Sequence, residues 1–205
     1  MAVLALALAI LAAYSNAAQA GTRSIGDTTI LAAVPYPGHP GGIAIDGNTA
    51  YVDTFNPVDR AADDYDAIFT YDLASGTLSD RPNPIKVPRM MSPTPMGLAA
   101  IALDAQGLMY VADMNGRILR LDPATGDQSD YATFPTNSMT SFTAMPDGIA
   151  LGRQGNLYVT DGSAPVIWRV PPGGGEAKPW LDEVENAVHE AGLPRRGARL
   201  HEHPL

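Results

Sequence analysis

The stretch Met145–Val170, MPDGIALGRQGNLYVTDGSAPVIWRV, decides how this chain is read. Gly148-Ile149-Ala150-Leu151 reads as a short apolar strand, Gly152 to Asn156 as a turn, and Leu157-Tyr158-Val159-Thr160 as its antiparallel partner. A third strand follows from Val166 to Val170. Its alternation puts Val166, Trp168 and Val170 on one face and Ile167 and Arg169 on the other, the pattern of a half-buried strand.

The same grammar occurs upstream as GGIAIDGNTAYVDT, Gly41 to Thr54, and as MGLAAIALDAQGLMYVAD, Met96 to Asp113. Third strands align as Ile68-Phe69-Thr70-Tyr71, Ile118-Leu119-Arg120-Leu121 and Ile167-Trp168-Arg169-Val170, each leading to a turn that closes at Gly76, Gly126 and Gly175. A repeat of about 50 residues built from short strands and Gly/Pro/Asp turns predicts β-propeller blades. The fold class expected is all-β, a partial β-propeller of about three four-stranded blades. Fourth, outer strands are expected at Thr28 to Val34 (belonging to a preceding blade), Ile85-Lys86-Val87, Tyr131 to Phe134 and Ala177 to Leu181.

The ends differ from this middle. Met1 to Ala20 is uncharged and apolar and finishes in Ala18-Gln19-Ala20, so residues 1–20 are expected to be a signal peptide and the protein secreted, periplasmic or extracellular. A basic start is missing, since no Lys or Arg precedes Arg23. Near Asp182 the usage changes: Gly21 to Asp182 holds seventeen Asp and one Glu, whereas Glu183 to Leu205 holds four Glu and no Asp. Residues 21–182 are therefore read as the partial propeller and 183–205 as an atypical tail, a short helix followed by disorder. The next blade's Gly-Ile-Ala strand does not follow Leu181, which suggests a cut or shifted reading frame; a helix capping the sheet edge is the alternative. The net charge of -9 argues against nucleic acid and anionic membrane as partners, since both call for a basic footprint. With no cysteine, thiol chemistry and Cys-type zinc sites are excluded.

Pro146-Asp147-Gly148-Ile149-Ala150 with Gly155-Asn156-Leu157-Tyr158-Val159, and Gly116-Arg117-Ile118-Leu119-Arg120-Leu121-Asp122-Pro123-Ala124-Thr125-Gly126, resemble the regucalcin and gluconolactonase family of six-bladed propellers. The resemblance runs from about Ala32 to Leu181. It implies a metal-dependent lactone or ester hydrolase, with Ca²⁺ or another divalent cation held by oxygen ligands just before the glycine of several innermost strands. The positions matched to that column are Gly41, Met96 and Asp147, of which Asp147 alone carries a side-chain oxygen. Asp147 is the candidate catalytic residue and metal ligand, or else a turn residue bonding its own backbone.

Asp113 and Asp161 close the Tyr-Val-x-Asp strands and join Asp147 as candidate metal ligands, their competing reading being acceptors for backbone N–H groups of the next turn. Asp53 is displaced from that column by one position. Asp59, Asp63, Asp64 and Asp66 form a second acidic cluster without EF-hand spacing. His39 is the one histidine outside the tail, a proton carrier or a loop residue. Trp168 and Trp180 read as inter-blade packing. Ser163 lacks a nucleophile-elbow setting, and Gly173-Gly174-Gly175 does not lead into a predicted helix, so neither a serine hydrolase nor a phosphate cradle is expected. The partner expected is a small-molecule substrate or ligand. The competing functional class is a non-catalytic propeller that binds a small molecule, sugar or protein, or an inactive remnant. Half a ring leaves two apolar sheet faces uncovered, so self-association through open blade faces is expected as well.

Overall fold

The computed structural model describes residues 26, 28–35, 39–55, 65–79, 83–90, 96–135 and 144–181, which form strands and turns and no helix. The proposed signal peptide, the tail after Asp182 and Asp59, Asp63 and Asp64 lie outside the described residues. The chain separates into two units at Leu31/Ala32. Of the first unit only Gly26 and residues 28–31 are described, with Ile30 and Leu31 exposed.

The first blade is built from β1 (His39–Asp46), β2 (Thr49–Phe55) and β3 (Tyr65–Asp72), paired antiparallel in that order. Its fourth strand is broken in two, β4 (Thr77–Leu78) and β5 (Ile85–Pro88) pairing with successive parts of β3. Asn83 bridges the break: its Nδ2 donates to Thr70 O (2.9 Å) and its Oδ1 accepts from Thr70 N–H (3.4 Å). Thr70 O also accepts from Ser79 N–H (2.9 Å), so at the break the amide side chain supplies the acceptor for Thr70 N–H, as a buried peptide group requires.

The second blade is β6 (Leu98–Leu103), β7 (Met109–Asp113), β8 (Arg117–Leu121) and β9 (Gln128–Thr133). The third is β10 (Pro146–Leu151), β11 (Leu157–Asp161), β12 (Ile167–Val170) and β14 (Lys178–Leu181), with β13 (Gly175–Glu176) preceding β14. β13 leaves its own blade and pairs parallel with β9, making the second sheet five-stranded. Gly174 makes this possible, because it sits at φ +87° and a Cβ there would lie 2.1 Å from Tyr131 O. The Gly76 and Gly126 corners are alike, each amide donating to the carbonyl four residues back (Asp72 and Asp122, both 2.8 Å). At the third corner Gly175 instead opens β13.

Thr28 to Val34, expected as an outer strand, contains no strand: residues 28–35 pair with none. Ala32 and Val34 instead pack on Phe69 and Tyr71 of the first blade, and Tyr71 Oη–H donates to Ala33 O (2.8 Å). A segment with no neighbouring strand to complete its ladder satisfies its polar groups singly and gains its burial from side chains.

Packing between blades forms two cores. Tyr51, Ile68, Ile85 and Val87 of the first blade meet Leu98, Ile101, Met109, Val111, Leu119 and Leu121 of the second. Tyr110, Ile118, Ala132 and Phe134 of the second meet Leu157, Val159, Trp168 and Val170 of the third, with Phe134 and Trp168 edge to face at 5.7 Å. Burying each large aliphatic side chain here contributes roughly 1.5–3 kcal/mol. Trp168 fulfils the packing expected of it. Trp180 does not cross to a described blade but stacks edge to face on Tyr158 of its own, at 4.8 Å. The innermost strands lie side by side, β1 against β6 and β6 against β10.

Candidate functional site

Each innermost strand begins with the same irregularity. The register slips by one residue between Pro40 and Ile43 in β1, between Leu98 and Ala100 in β6, and between Pro146 and Ile149 in β10. One extra inner-strand residue opposes its partner each time, a β-bulge. Asp113 and Asp161 occupy equivalent places, opposite Leu98 and Pro146, so residue 99 corresponds to residue 147. The structurally equivalent column is therefore Gly41, Ala99 and Asp147, a correction of the expected Gly41, Met96 and Asp147. Gly97 is not the bulge glycine: it precedes the strand, at the place that Met145 takes in the third blade, as the bonds Met114 N–H to Gly97 O and Gly162 N–H to Met145 O (3.0 and 2.8 Å) show.

The bulge turns an inner-strand amide toward the second strand, and a side chain there satisfies it. Gly148 N–H donates to Thr160 Oγ1 (2.8 Å), and Gly42 N–H donates to Asp53 Oδ1 (2.6 Å). Both glycines are sterically required. A Cβ on Gly148 would lie 2.8 Å from Thr160 Oγ1, and one on Gly42 would lie 2.6 Å from Ala100 Cα. The second blade pairs Ala100 with Ala112, so a Cβ fits where no side-chain acceptor stands.

Asp53 is the most perturbed acid of this region. It is fully buried between the first two blades, and its Oδ2 accepts no hydrogen bond from the described residues. Burial pushes its carboxyl up to about 7; the Gly42 amide opposes this, the Asp66 carboxylate adds repulsion, and the Gly41 amide opposes again. Asp66 itself is buried and accepts from Arg89 Nε (3.0 Å).

The three acids singled out in sequence are placed differently. Asp147 is exposed, beside the bulge glycine on the innermost strand. Asp161 lies across from Pro146, but its oxygens are engaged: Oδ1 accepts from Met145 N–H (3.1 Å), Ser163 N–H (2.8 Å) and Ser163 Oγ (2.7 Å), and Oδ2 from Trp168 Nε1 (3.0 Å). Asp113 is buried in the second blade, where Oδ1 accepts from Asn115 N–H (3.0 Å) and Nδ2 (2.6 Å) and Oδ2 from Arg117 Nε (2.9 Å). Thr54 holds the equivalent place in the first blade and bonds both Ala67 N–H and Ala67 O (3.2 and 3.0 Å). All three residues thus brace the third strand or the turn that precedes it.

Asp147 follows Pro146, the cross-strand partner of Asp161, and Asp113 stands a blade away. Among the described residues no group of three or more His, Asp or Glu side chains converges as a metal site would. His39 is exposed at the start of β1. A cavity of about 350 Å³, lined by Leu108, Arg120, Asp122, Asp127, Gln128 and Ser129, opens at the opposite end of the second blade and does not reach the bulges.

Asp53 was legible as an anomaly. In Tyr-Val-Asp-Thr the acid comes one residue earlier than in Tyr-Val-Ala-Asp and Tyr-Val-Thr-Asp, and a shift of one residue in a strand moves a side chain to the other face.

No protein-family model matches the sequence. Over 74 residues, 36% of this chain, it is 36% identical to regucalcin of Homo sapiens and of Macaca fascicularis, and the match covers 23% of each of those proteins. The chain thus spans under a quarter of the regucalcins it resembles. Among solved structures, a streptogramin B lyase is 24% identical over 75% of this chain and 44% of its own, with a TM-score of 0.48. A nidogen/laminin complex chain is 16% identical over 64% of this chain and 43% of its own, with a TM-score of 0.44. The comparisons thus add a regucalcin-like stretch of sequence to an all-β partial propeller whose blades are seen directly.

Proposed function

We propose that this chain supplies three consecutive blades of a regucalcin-like propeller that hydrolyses a lactone or ester at the bulge end of its inner strands. The observation that carries the reading is Asp147, an exposed carboxylate beside a bulge glycine on an innermost strand. In the reaction this residue takes a proton from the attacking water. The water oxygen bonds the carbonyl carbon, the ring or ester C–O bond breaks, and the departing oxygen is protonated. Ca²⁺ or another divalent ion bound at such a site would polarise the carbonyl, but the described residues do not fit it alone. Calcium takes six to eight oxygens, and Gly41 and Ala99 offer no side-chain oxygen at the positions equivalent to Asp147.

A second reading, a non-catalytic module for a small molecule or sugar, is supported by those same two positions and by the engagement of Asp113 and Asp161 in hydrogen bonds within their own blades. Rates of lactone and aryl-ester hydrolysis, with and without CaCl₂, compared between the chain and Asp147→Ala, separate the two. A loss of tenfold or more in the variant supports hydrolysis, a factor well within what one acid–base group contributes. Equal rates at background, with calorimetric binding of the lactone intact, support the module. A secreted or periplasmic location belongs to the same proposal and rests on the uncharged Met1–Ala20 stretch; recovery of the chain from the cell interior with residues 1–20 retained would refute it.

A further inference from the structure

The cavity at the far end of the second blade lies on one face of its sheet. Arg120 of β8 pairs with Tyr110 of β7 and with Ser129 of β9. Asp122, two residues further along, opens the turn that Asp127 closes, its N–H donating to Asp127 O (2.8 Å), and Leu108 stands at the entry to β7. Side chains two residues apart along a strand share a face and stand about 7 Å apart, so a guanidinium and two carboxylates line neighbouring rows of one surface. The lining residues all belong to this blade, so the site is complete in itself.

These charges are not spent on the fold. Arg120 is exposed and makes no hydrogen bond or ion pair among the described residues, and neither does the Asp127 carboxylate. Asp122 uses one oxygen, Oδ1 accepting from Ala124 N–H (2.8 Å). The first blade shows that the turn needs neither open charge. Its Gly76 N–H donates to Asp72 O as Gly126 N–H does to Asp122 O (both 2.8 Å), yet a buried Thr70 stands where Arg120 does and Thr77 where Asp127 does. There both Asp72 oxygens are taken within the blade, Oδ1 by Ser75 N–H (2.8 Å) and Oδ2 by Asn48 Nδ2 (3.2 Å). In the second blade the same turn leaves a cation and two acids open around one cavity.

We propose that this cavity binds a free α-amino acid as its zwitterion. The α-carboxylate sits on the Arg120 guanidinium, whose planar fork matches it with two parallel hydrogen bonds. The α-ammonium donates to Asp127 and to the open Oδ2 of Asp122. The Ser129 hydroxyl donates to the carboxylate, and an aliphatic side chain lies on Leu108. An anion alone is repelled by two carboxylates and a cation alone by the guanidinium, so the arrangement selects a small molecule that carries both charges. At about 350 Å³ the cavity is at the small end of ligand pockets, which run from roughly 300 to 1,000 Å³, and it suits a single amino acid better than a peptide chain. The site lies away from the bulges, so it stands or falls independently of hydrolysis at Asp147.

The test is isothermal titration calorimetry of the full chain at low salt with L-alanine and L-leucine. Acetate, n-butylamine, N-acetyl-L-alanine and L-alaninamide, each lacking one of the two charges, are the comparators. The amino acids should bind saturably at one site per chain, and each comparator about tenfold more weakly or worse, the loss of one charge-assisted contact. Arg120→Gln and Asp127→Asn should each weaken L-leucine binding by about tenfold or more. Both should keep the near-ultraviolet circular dichroism and urea midpoint of the parent, because neither side chain is bonded within the described protein. Should Arg120→Gln not fold, Arg120→Lys keeps the charge, loses the fork and should still weaken binding severalfold. Comparators that bind as tightly as the amino acids overturn the proposal, since they would report surface charge alone. Absence of saturable binding by either amino acid overturns it too, and so does affinity unchanged in either variant, which would place the amino acid elsewhere.

Discussion

Replacing Asp53 by Asn should make the stability of this protein less sensitive to pH, in a direction opposite to that of an ordinary paired carboxylate. Asp53 Oδ1 accepts from Gly42 N–H, Oδ2 accepts no hydrogen bond from the described residues, and burial raises the carboxyl from 3.8 to about 7. The folded state therefore holds a proton that the unfolded chain releases on its own above pH 4. Below about 3.8 both states are protonated and the contribution is fully present. As pH rises the unfolded chain ionises while the folded one does not, so stability falls, and the loss is complete once pH passes about 7. The size is the difference between the two pKa values, on the order of 4 kcal/mol. Asn keeps an acceptor for Gly42 and has no proton to lose. Urea unfolding followed by the fluorescence of Trp168 and Trp180, at steps between about pH 4 and about pH 8, gives the free energy of each protein. Subtracting the two cancels every other titrating group. The difference should grow with pH in favour of the variant. Parallel curves, with a difference constant to within about 1 kcal/mol, would show that Asp53 is solvated or paired and that its burial has been misread.

The bulges offer a test by exchange. Gly148→Ala places a Cβ 2.8 Å from Thr160 Oγ1 and should cost about 1–3 kcal/mol, while Gly148→Ala with Thr160→Ala reproduces the Ala100–Ala112 pair and should recover most of that loss in the same unfolding assay. Arg117→Ala removes the Nε partner of the buried Asp113 along with the bonds of Nη1 to Asp130 Oδ1 and Nη2 to Pro88 O, and should destabilise by about 3–5 kcal/mol. Arg117→Ala with Asp113→Asn should be milder than the single change, because no buried charge is left alone; if the double variant is the worse one, the ion pair is not what Arg117 contributes.

The sequence by itself determined the hairpins, the three repeats and the all-β class. These rest on local physics: alternation with a period of two, glycines where turns need positive φ, and Asp or Ser side chains that close turns within a few residues. Trp168, with its Val166 and Val170 companions, was legible as an inward face for the same reason. The tertiary structure decided everything that depends on what lies across a gap. It alone showed that residues 28–35 form no strand, that β13 crosses to the neighbouring blade, and that Ala99 rather than Met96 is the bulge residue equivalent to Asp147. It also separated four similar aspartates into an exposed one, two held by their turns and one buried between blades. A carboxylate's chemistry is set by desolvation and by the donors around it. Those are properties of neighbours distant in sequence, and spacing along one strand does not contain them.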